Sequence, residues 1–197
     1  SVNVQKVLWC LEEMGLVYRR IDAGMEHGVV DTPAYRAMNP NGRVPTLEDE
    51  GFVLWESNAI VRYLALKHAR GTLCPADLRE RADADRWMDW CTANFSVPFR
   101  DVYWGLVRTA PAQRDLAAIE RGRVACARLL DMVDRALAVR PYLAGSRLTM
   151  ADIPLGCYLH RWLNLPIERP EHVYLETWHR RLRERPAFDR IVNIPLS

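Results

Sequence analysis

Arg43-Val44-Pro45-Thr46-Leu47-Glu48-Asp49-Glu50-Gly51-Phe52-Val53-Leu54-Trp55-Glu56-Ser57-Asn58 is the stretch on which the reading of this chain turns. Val44-Pro45-Thr46-Leu47 and Phe52-Val53-Leu54-Trp55 are short apolar runs. The acidic turn Asp49-Glu50-Gly51 between them brings a glycine to the reversal, so the two are predicted to form a hairpin. Pro45 has no N–H to give to a ladder, which places its strand at an edge or makes it irregular. Ser57 follows the second run and is placed to cap a helix whose apolar face is Ile60, Val61 and Leu64.

Working outward, Val4, Val7, Leu8 and Leu11 recur at i, i+3, i+4 and i+7, one face of a helix that Gly15 would end. Val17-Tyr18-Arg19-Arg20-Ile21 alternates apolar and polar as a half-buried strand would. Residues 23–42 read as loop with a short helix at 35–38. After the hairpin and its helix, residues 69–78 are a linker punctuated by Gly71 and Pro75. Helices are expected at 79–108, with Pro98 kinking it, and at 113–139, 150–163 and 173–184, with a final turn at 187–192. Thr149-Met150-Ala151-Asp152 has capping-box spacing before the third of these. The organisation is therefore a mixed α/β unit at 1–68, a linker and an all-helical unit at 79–197. A sheet of this order should open with a strand ahead of the first helix. A segment before Ser1 is therefore expected, without which 17–21 would have no neighbour.

The bulk properties narrow the class. Of 197 residues, 49% are hydrophobic and 26% charged, and the net charge is +2, so no basic footprint for nucleic acid or a membrane surface is present. Charged residues interrupt every apolar run before it reaches membrane-spanning length. Five cysteines, an odd number with no C-x-x-C pair, argue against a disulfide framework and point to a reducing, cytoplasmic compartment. The five histidines are scattered, and no metal site is expected. Cys10 falls inside the first helix and reads as a packing cysteine.

Three places can carry chemistry, each with a plainer reading beside it. A cis Val44–Pro45 bond would turn the Val44 backbone outward to pair with an extended peptide, although only about 5–6% of X-Pro bonds are cis and spacing alone favours trans. Glu56-Ser57 at a helix mouth suits an α-amino acid end: the N-terminal N–H groups and the Ser57 hydroxyl for a carboxylate, Glu56 for an ammonium. Simple capping by Ser57 is the commoner use. Ser1 and Asn3 at the start of the first helix are either an N-cap or donors to a thiolate.

In order along the chain, Ser1-Val2-Asn3-Val4-Gln5-Lys6, Asn39-Pro40-Asn41-Gly42-Arg43-Val44-Pro45, Trp55-Glu56-Ser57-Asn58-Ala59-Ile60, Arg86-Trp87-Met88-Asp89-Trp90, Tyr142-Leu143-Ala144-Gly145, Thr149-Met150-Ala151-Asp152 and Arg185-Pro186-Ala187-Phe188 resemble the glutathione S-transferase superfamily, in particular its bacterial theta-like members. The resemblance implies a thioredoxin-like N-terminal domain with an all-α C-terminal bundle, a homodimer, and glutathione as co-substrate. It implies a cis Val44–Pro45 pairing with the cysteinyl part of glutathione. It further implies Glu56 and Ser57 on the γ-glutamyl end, Arg43 toward the glycyl carboxylate, and Ser1 as the thiolate-stabilising serine with Asn3 as rival or helper. The activated thiol would attack a small electrophile held between the halves. Helical spacing offers Phe99, Tyr103, Trp104 and Val107, with Trp162, as lining for that second pocket. A glutathione-dependent isomerase, dehalogenase or peroxidase, and a non-catalytic binding protein of the same fold, are the alternatives to a conjugating transferase.

Overall fold

The computed structural model describes residues 1–196. Helix α1 (Val2–Glu13) buries Val7, Trp9, Cys10 and Leu11. It stops in a Schellman turn: Gly15 takes φ +63°, its N–H donates to the Glu12 carbonyl at 3.1 Å, and the Leu16 N–H reaches the Leu11 carbonyl at 3.0 Å. The stretch expected as a strand at 17–21 is not one. Val17 is fully exposed and Ile21 is 71% exposed, and among the described residues no strand offers an edge to either. Alternation marks a face, but a ladder needs a neighbour.

Helix α2 (Pro33–Met38) starts where the Thr32 hydroxyl accepts the Tyr35 N–H at 3.2 Å, with Pro33 in the first turn. Strands β1 (Thr46–Asp49) and β2 (Phe52–Trp55) pair antiparallel, Thr46 opposite Trp55 and Asp49 opposite Phe52. Glu50 and Gly51 between them both have positive φ, 52° and 85°, as the expected tight hairpin requires. Helix α3 (Ser57–His68) then lies against α1, with Ile60, Val61, Leu64 and Ala65 buried.

The region predicted as one helix at 79–108 is a single rod broken twice. Helix α4 (Leu78–Trp90) is capped by Asp77, whose carboxylate accepts the N–H groups of Arg79 and Glu80 at 2.8 and 3.0 Å. A π-turn (Cys91–Phe95) leads into α5 (Ser96–Tyr103), and a second (Trp104–Arg108) ends it. Pro98 lacks the N–H that would bond back to residue 94, so the ladder widens there. Helices α6 (Leu116–Leu137), α7 (Asp152–Leu163), α8 (Val173–Arg183) and α9 (Pro186–Ile191) complete the bundle. Helix α7 is the central rod, buried all round from Asp152 to Trp162.

The two halves share one core. Trp9 of α1 meets Phe188 of α9 edge-on at 4.9 Å. Gln5 donates to the Ile191 carbonyl at 3.1 Å, and Arg185 Nε donates to Glu13 at 2.9 Å. All five cysteines are free and buried. Burial pushes the Cys91, Cys126 and Cys157 thiols up to about 12, so none of the three is a ready nucleophile. Among the described residues no helix is long and apolar enough to cross a membrane.

Candidate functional site

The loop before β1 is held from below by α2. The Arg43 carbonyl accepts from both the Tyr35 hydroxyl and Asn39 Nδ2, each at 2.8 Å, and the Thr46 hydroxyl lies 2.9 and 3.1 Å from the same two side chains. Asn39 and Tyr35 are buried, so this network is dry and rigid. On top of it the Val44–Pro45 bond is cis. Among the described residues the strand that follows pairs with β2 alone. Among the described residues the Val44 N–H and C=O make no backbone hydrogen bond. Arg43 is exposed beside it.

At the other end of the hairpin Glu56 sits at φ +72°, left-handed backbone that a non-glycine residue adopts at a cost of about 1–3 kcal/mol. It is the N-cap residue of α3, and its side chain is exposed and makes no cap bond. The expectation that Ser57 caps α3 is thereby corrected. Ser57 is the first residue of the helix, and its hydroxyl reaches sideways to donate to Asn3 Oδ1 at 3.2 Å. Asn3 Oδ1 also accepts from Lys6 Nζ at 2.9 Å. Ser1 stands exposed at the N-cap of α1 with no side-chain cap bond. The first turns of α1 and α3 thus meet at Asn3 and Ser57, and each brings N–H groups without intrahelical partners and the positive end of a helix dipole.

The surroundings are cationic. Arg161 of α7 is buried, donates to Gln5 Oε1 at 3.1 and 2.8 Å, and lies over the Tyr103 ring at 4.9 Å. Arg161, Arg108 and Arg20 are the positive charges that bear on the Ser1 nitrogen, in that order. Neither Arg161 nor Lys6 forms an ion pair with another described residue.

The pocket lining proposed from helical spacing divides. Phe99 is 3% exposed, stacked between Phe95 and Tyr103 and edge-on to Tyr158, so it is core. Trp162 is fully buried and is core as well. Phe95, Phe99 and Tyr103 form the inward stripe, and Trp104, next to Tyr103 at the start of the second π-turn, is 52% exposed under the Arg108 guanidinium at 5.0 Å. Val107 is half-buried on the same turn. Tyr103 is buried beneath Arg161. Trp104 and Val107 are therefore the two of the five that keep accessible surface.

Sequence reasoning passed over Tyr35, Asn39, Lys6 and Arg161. Asn39 lay inside a quoted motif, and Lys6 is three residues from Asn3 on the same helical face, but nothing local marks either as buried. Two surface hollows of about 310 and 320 Å³ lie elsewhere, one beside Arg140, Tyr174 and Arg181, the other between the end of α1 and Arg147. Among the described residues no group of three His, Cys, Asp or Glu side chains is arranged to hold a metal.

Comparison with known proteins follows the same lines. A model of the glutathione S-transferase N-terminal domain matches residues 1–67, and one of the C-terminal domain matches residues 117–189. The chain is 40% identical to glutathione S-transferase GstB of Escherichia coli (strain K12), over 100% of this chain and 96% of that protein. It is 31% identical to the disulfide-bond oxidoreductase YfcG of the same strain, over 94% and 87%. The theta class glutathione S-transferase of the citrus canker pathogen Xanthomonas axonopodis pv. citri, solved with glutathione bound, matches at TM-score 0.97 and 53% identity, covering 100% of this chain and 95% of that one. A thioredoxin-like front half joined to a helical back half, matched over 94% or more of its length by these relatives, settles the lineage: the chain belongs to the glutathione S-transferase family.

Proposed function

We propose that the junction of α1 and α3 binds glutathione and that Ser1, helped by Asn3, activates its thiol. The chain is a glutathione transferase, with glutathione as co-substrate. The observation that carries the placement is the Ser57–Asn3 hydrogen bond, which couples a carboxylate-binding helix mouth to the start of the helix where a thiolate is best stabilised.

In this reading the γ-glutamyl carboxylate takes the Ser57 hydroxyl and the free N–H groups of α3, and its ammonium takes Glu56. The cysteinyl backbone pairs with Val44 beside Pro45, and Arg43 faces the glycyl carboxylate. The sulfur then lies by the Ser1 hydroxyl and Asn3 Nδ2. A free cysteine thiol ionises near pH 8.5. A donated hydrogen bond and a helix N-terminus lower that by about two units, worth about 2.7 kcal/mol. The thiol proton goes to solvent, and the sulfur lone pair forms the S–C bond as the leaving group departs with its electron pair. The electrophile, small and largely apolar, rests against Trp104 and Val107, and holding it there supplies the remaining rate by proximity.

A homodimer in the cytoplasm, acting in detoxification, completes the proposal. The dimer's support is the half-exposed Phe52, which lies tilted against Tyr63 at 5.3 Å on the hairpin and leaves apolar surface for a second copy. Sedimentation at micromolar concentration tests it, and a monomer refutes it. For the site, calorimetry and turnover of a chlorinated nitrobenzene separate the two ends. Ser57→Ala weakens glutathione binding about tenfold by loss of one hydrogen bond to a charged group. Ser1→Ala leaves binding within about threefold and lowers turnover. Unchanged glutathione affinity in Ser57→Ala refutes the placement.

A further inference from the structure

We infer that Lys6 is a positioning residue for thiol activation: from beneath α1 it holds the Asn3 amide with Oδ1 turned inward, leaving both Nδ2 hydrogens for the sulfur. This rests on the binding mode proposed above and adds to it a residue that touches no substrate.

Lys6 is 2% exposed. Burying an ammonium away from a counter-ion is expensive, and a chain seeking only to fill this volume is better served by methionine. Among the described residues its Nζ makes the 2.9 Å bond to Asn3 Oδ1 and lies 4.9 Å above the Tyr158 ring. Asn3 Oδ1 accepts from Lys6, and from Ser57 until that hydroxyl turns to the γ-glutamyl carboxylate. Flipping the amide would set its NH2 against the ammonium, which can only donate, so the Lys6 contact fixes the orientation. The Nδ2 end makes no hydrogen bond to a described residue, and polarisation of the carbonyl end by a cation strengthens its N–H groups as donors. Burial draws the Lys6 pKa down, while Cys91 after α4, Cys157 on α7 and Glu56 before α3 act in the opposite direction. With Tyr158, these are the titratable groups facing it.

The test is the ultraviolet thiolate absorbance of enzyme-bound glutathione, titrated from about pH 5 to pH 9, with kcat/KM over the same range. Lys6→Met raises the pKa of the bound thiol by about one unit. Its kcat/KM falls about tenfold below the wild-type pKa and rejoins wild type at the alkaline end. Glutathione affinity by calorimetry stays within about threefold. Lys6→Arg, which keeps charge and donors, keeps the wild-type titration. In an Asn3→Ala background Lys6→Met adds no further shift, because Lys6 acts through Asn3. An unshifted titration in Lys6→Met overturns the inference, as does an equal fall in kcat/KM at every pH, which is what loss of packing alone would give. Should Lys6→Met lack a thermal transition, Asn3→Ala decides, and an unmoved thiol pKa in that variant overturns the inference. Failure of the wild type to bind glutathione sinks the parent binding mode, which calorimetry reads separately.

Discussion

Asp152→Ala should cost this protein a large part of its stability. The carboxylate is fully buried at the start of α7, where it gathers three segments. Oδ1 accepts the Leu143 N–H and the Trp178 Nε1–H, both at 3.0 Å, and Oδ2 accepts the Thr149 N–H at 2.9 Å and the Thr149 hydroxyl at 3.4 Å. Alanine removes the acceptor from all of them and orphans three buried N–H groups, each worth about 1–3 kcal/mol. Allowing for partial relaxation, the loss is about 4 kcal/mol, and in a chain of this length that lowers Tm by about 8–16 °C. Scanning calorimetry of wild type and variant checks it. A fall of under about 4 °C would mean that the network carries no load.

The same residue gives the prediction a pH signature. Burial pushes the Asp152 carboxyl up to about 6 from 3.8, against the pull of its four hydrogen bonds. The native state therefore keeps a proton that the unfolded chain has already released. The stability this brings is complete below about pH 4 and is lost as pH rises through 6, a change of about 3 kcal/mol. Alanine has no such slope. The gap between wild type and Asp152→Ala should widen from about pH 7.5 to about pH 4.5, and titrations common to both proteins cancel in the difference. A gap that narrows on acidification refutes the argument.

His179 acts in the opposite sense. Burial, with His160 and Arg183 close by, lowers it to about 3 from 6.5, and its Nε2 is buried without a partner among the described residues. Stability from this residue is present above the unfolded pKa and drains as pH falls from 6.5 toward about 3. His179→Phe, packed against Phe188 where the imidazole now lies at 5.8 Å, should raise the urea midpoint at about pH 4.5 far more than at pH 7.5. An equal shift at the two pH values would sink this reading. Gly122 of α6 is where α5 comes closest, and a Cβ there would stand 2.7 Å from the Pro98 carbonyl oxygen and 2.8 Å from Val102 Cγ2. Gly122→Ala should cost about 1–3 kcal/mol in denaturant unfolding despite alanine's better helix propensity, and a stabilised variant would show that the helices part freely.

What the sequence shows of this molecule follows the range of the forces involved. The hairpin was legible because Asp49-Glu50-Gly51 acts within its own turn, and α1 because Gly15 ends it with two bonds to its own last residues. The alternation at 17–21 was equally visible and made no strand, because a strand exists only where another edge meets it. Phe99 and Trp104 show the same limit on a helix. Spacing grouped them, but five residues set them well apart round the rod, and packing puts Phe99 in the core and Trp104 in solvent. At the candidate site the divide is sharpest. Ser57 looked like a cap and nothing marked Lys6, and each takes its place from a partner on a different element: Asn3 across 54 residues for Ser57, and Tyr158 of α7 for Lys6. The local signals mark where two helix mouths begin. Only the packing of α1 on α3 and α7 turns those mouths toward one another, so a substitution that loosens that packing should weaken thiol activation even where Ser1, Asn3 and Ser57 are untouched.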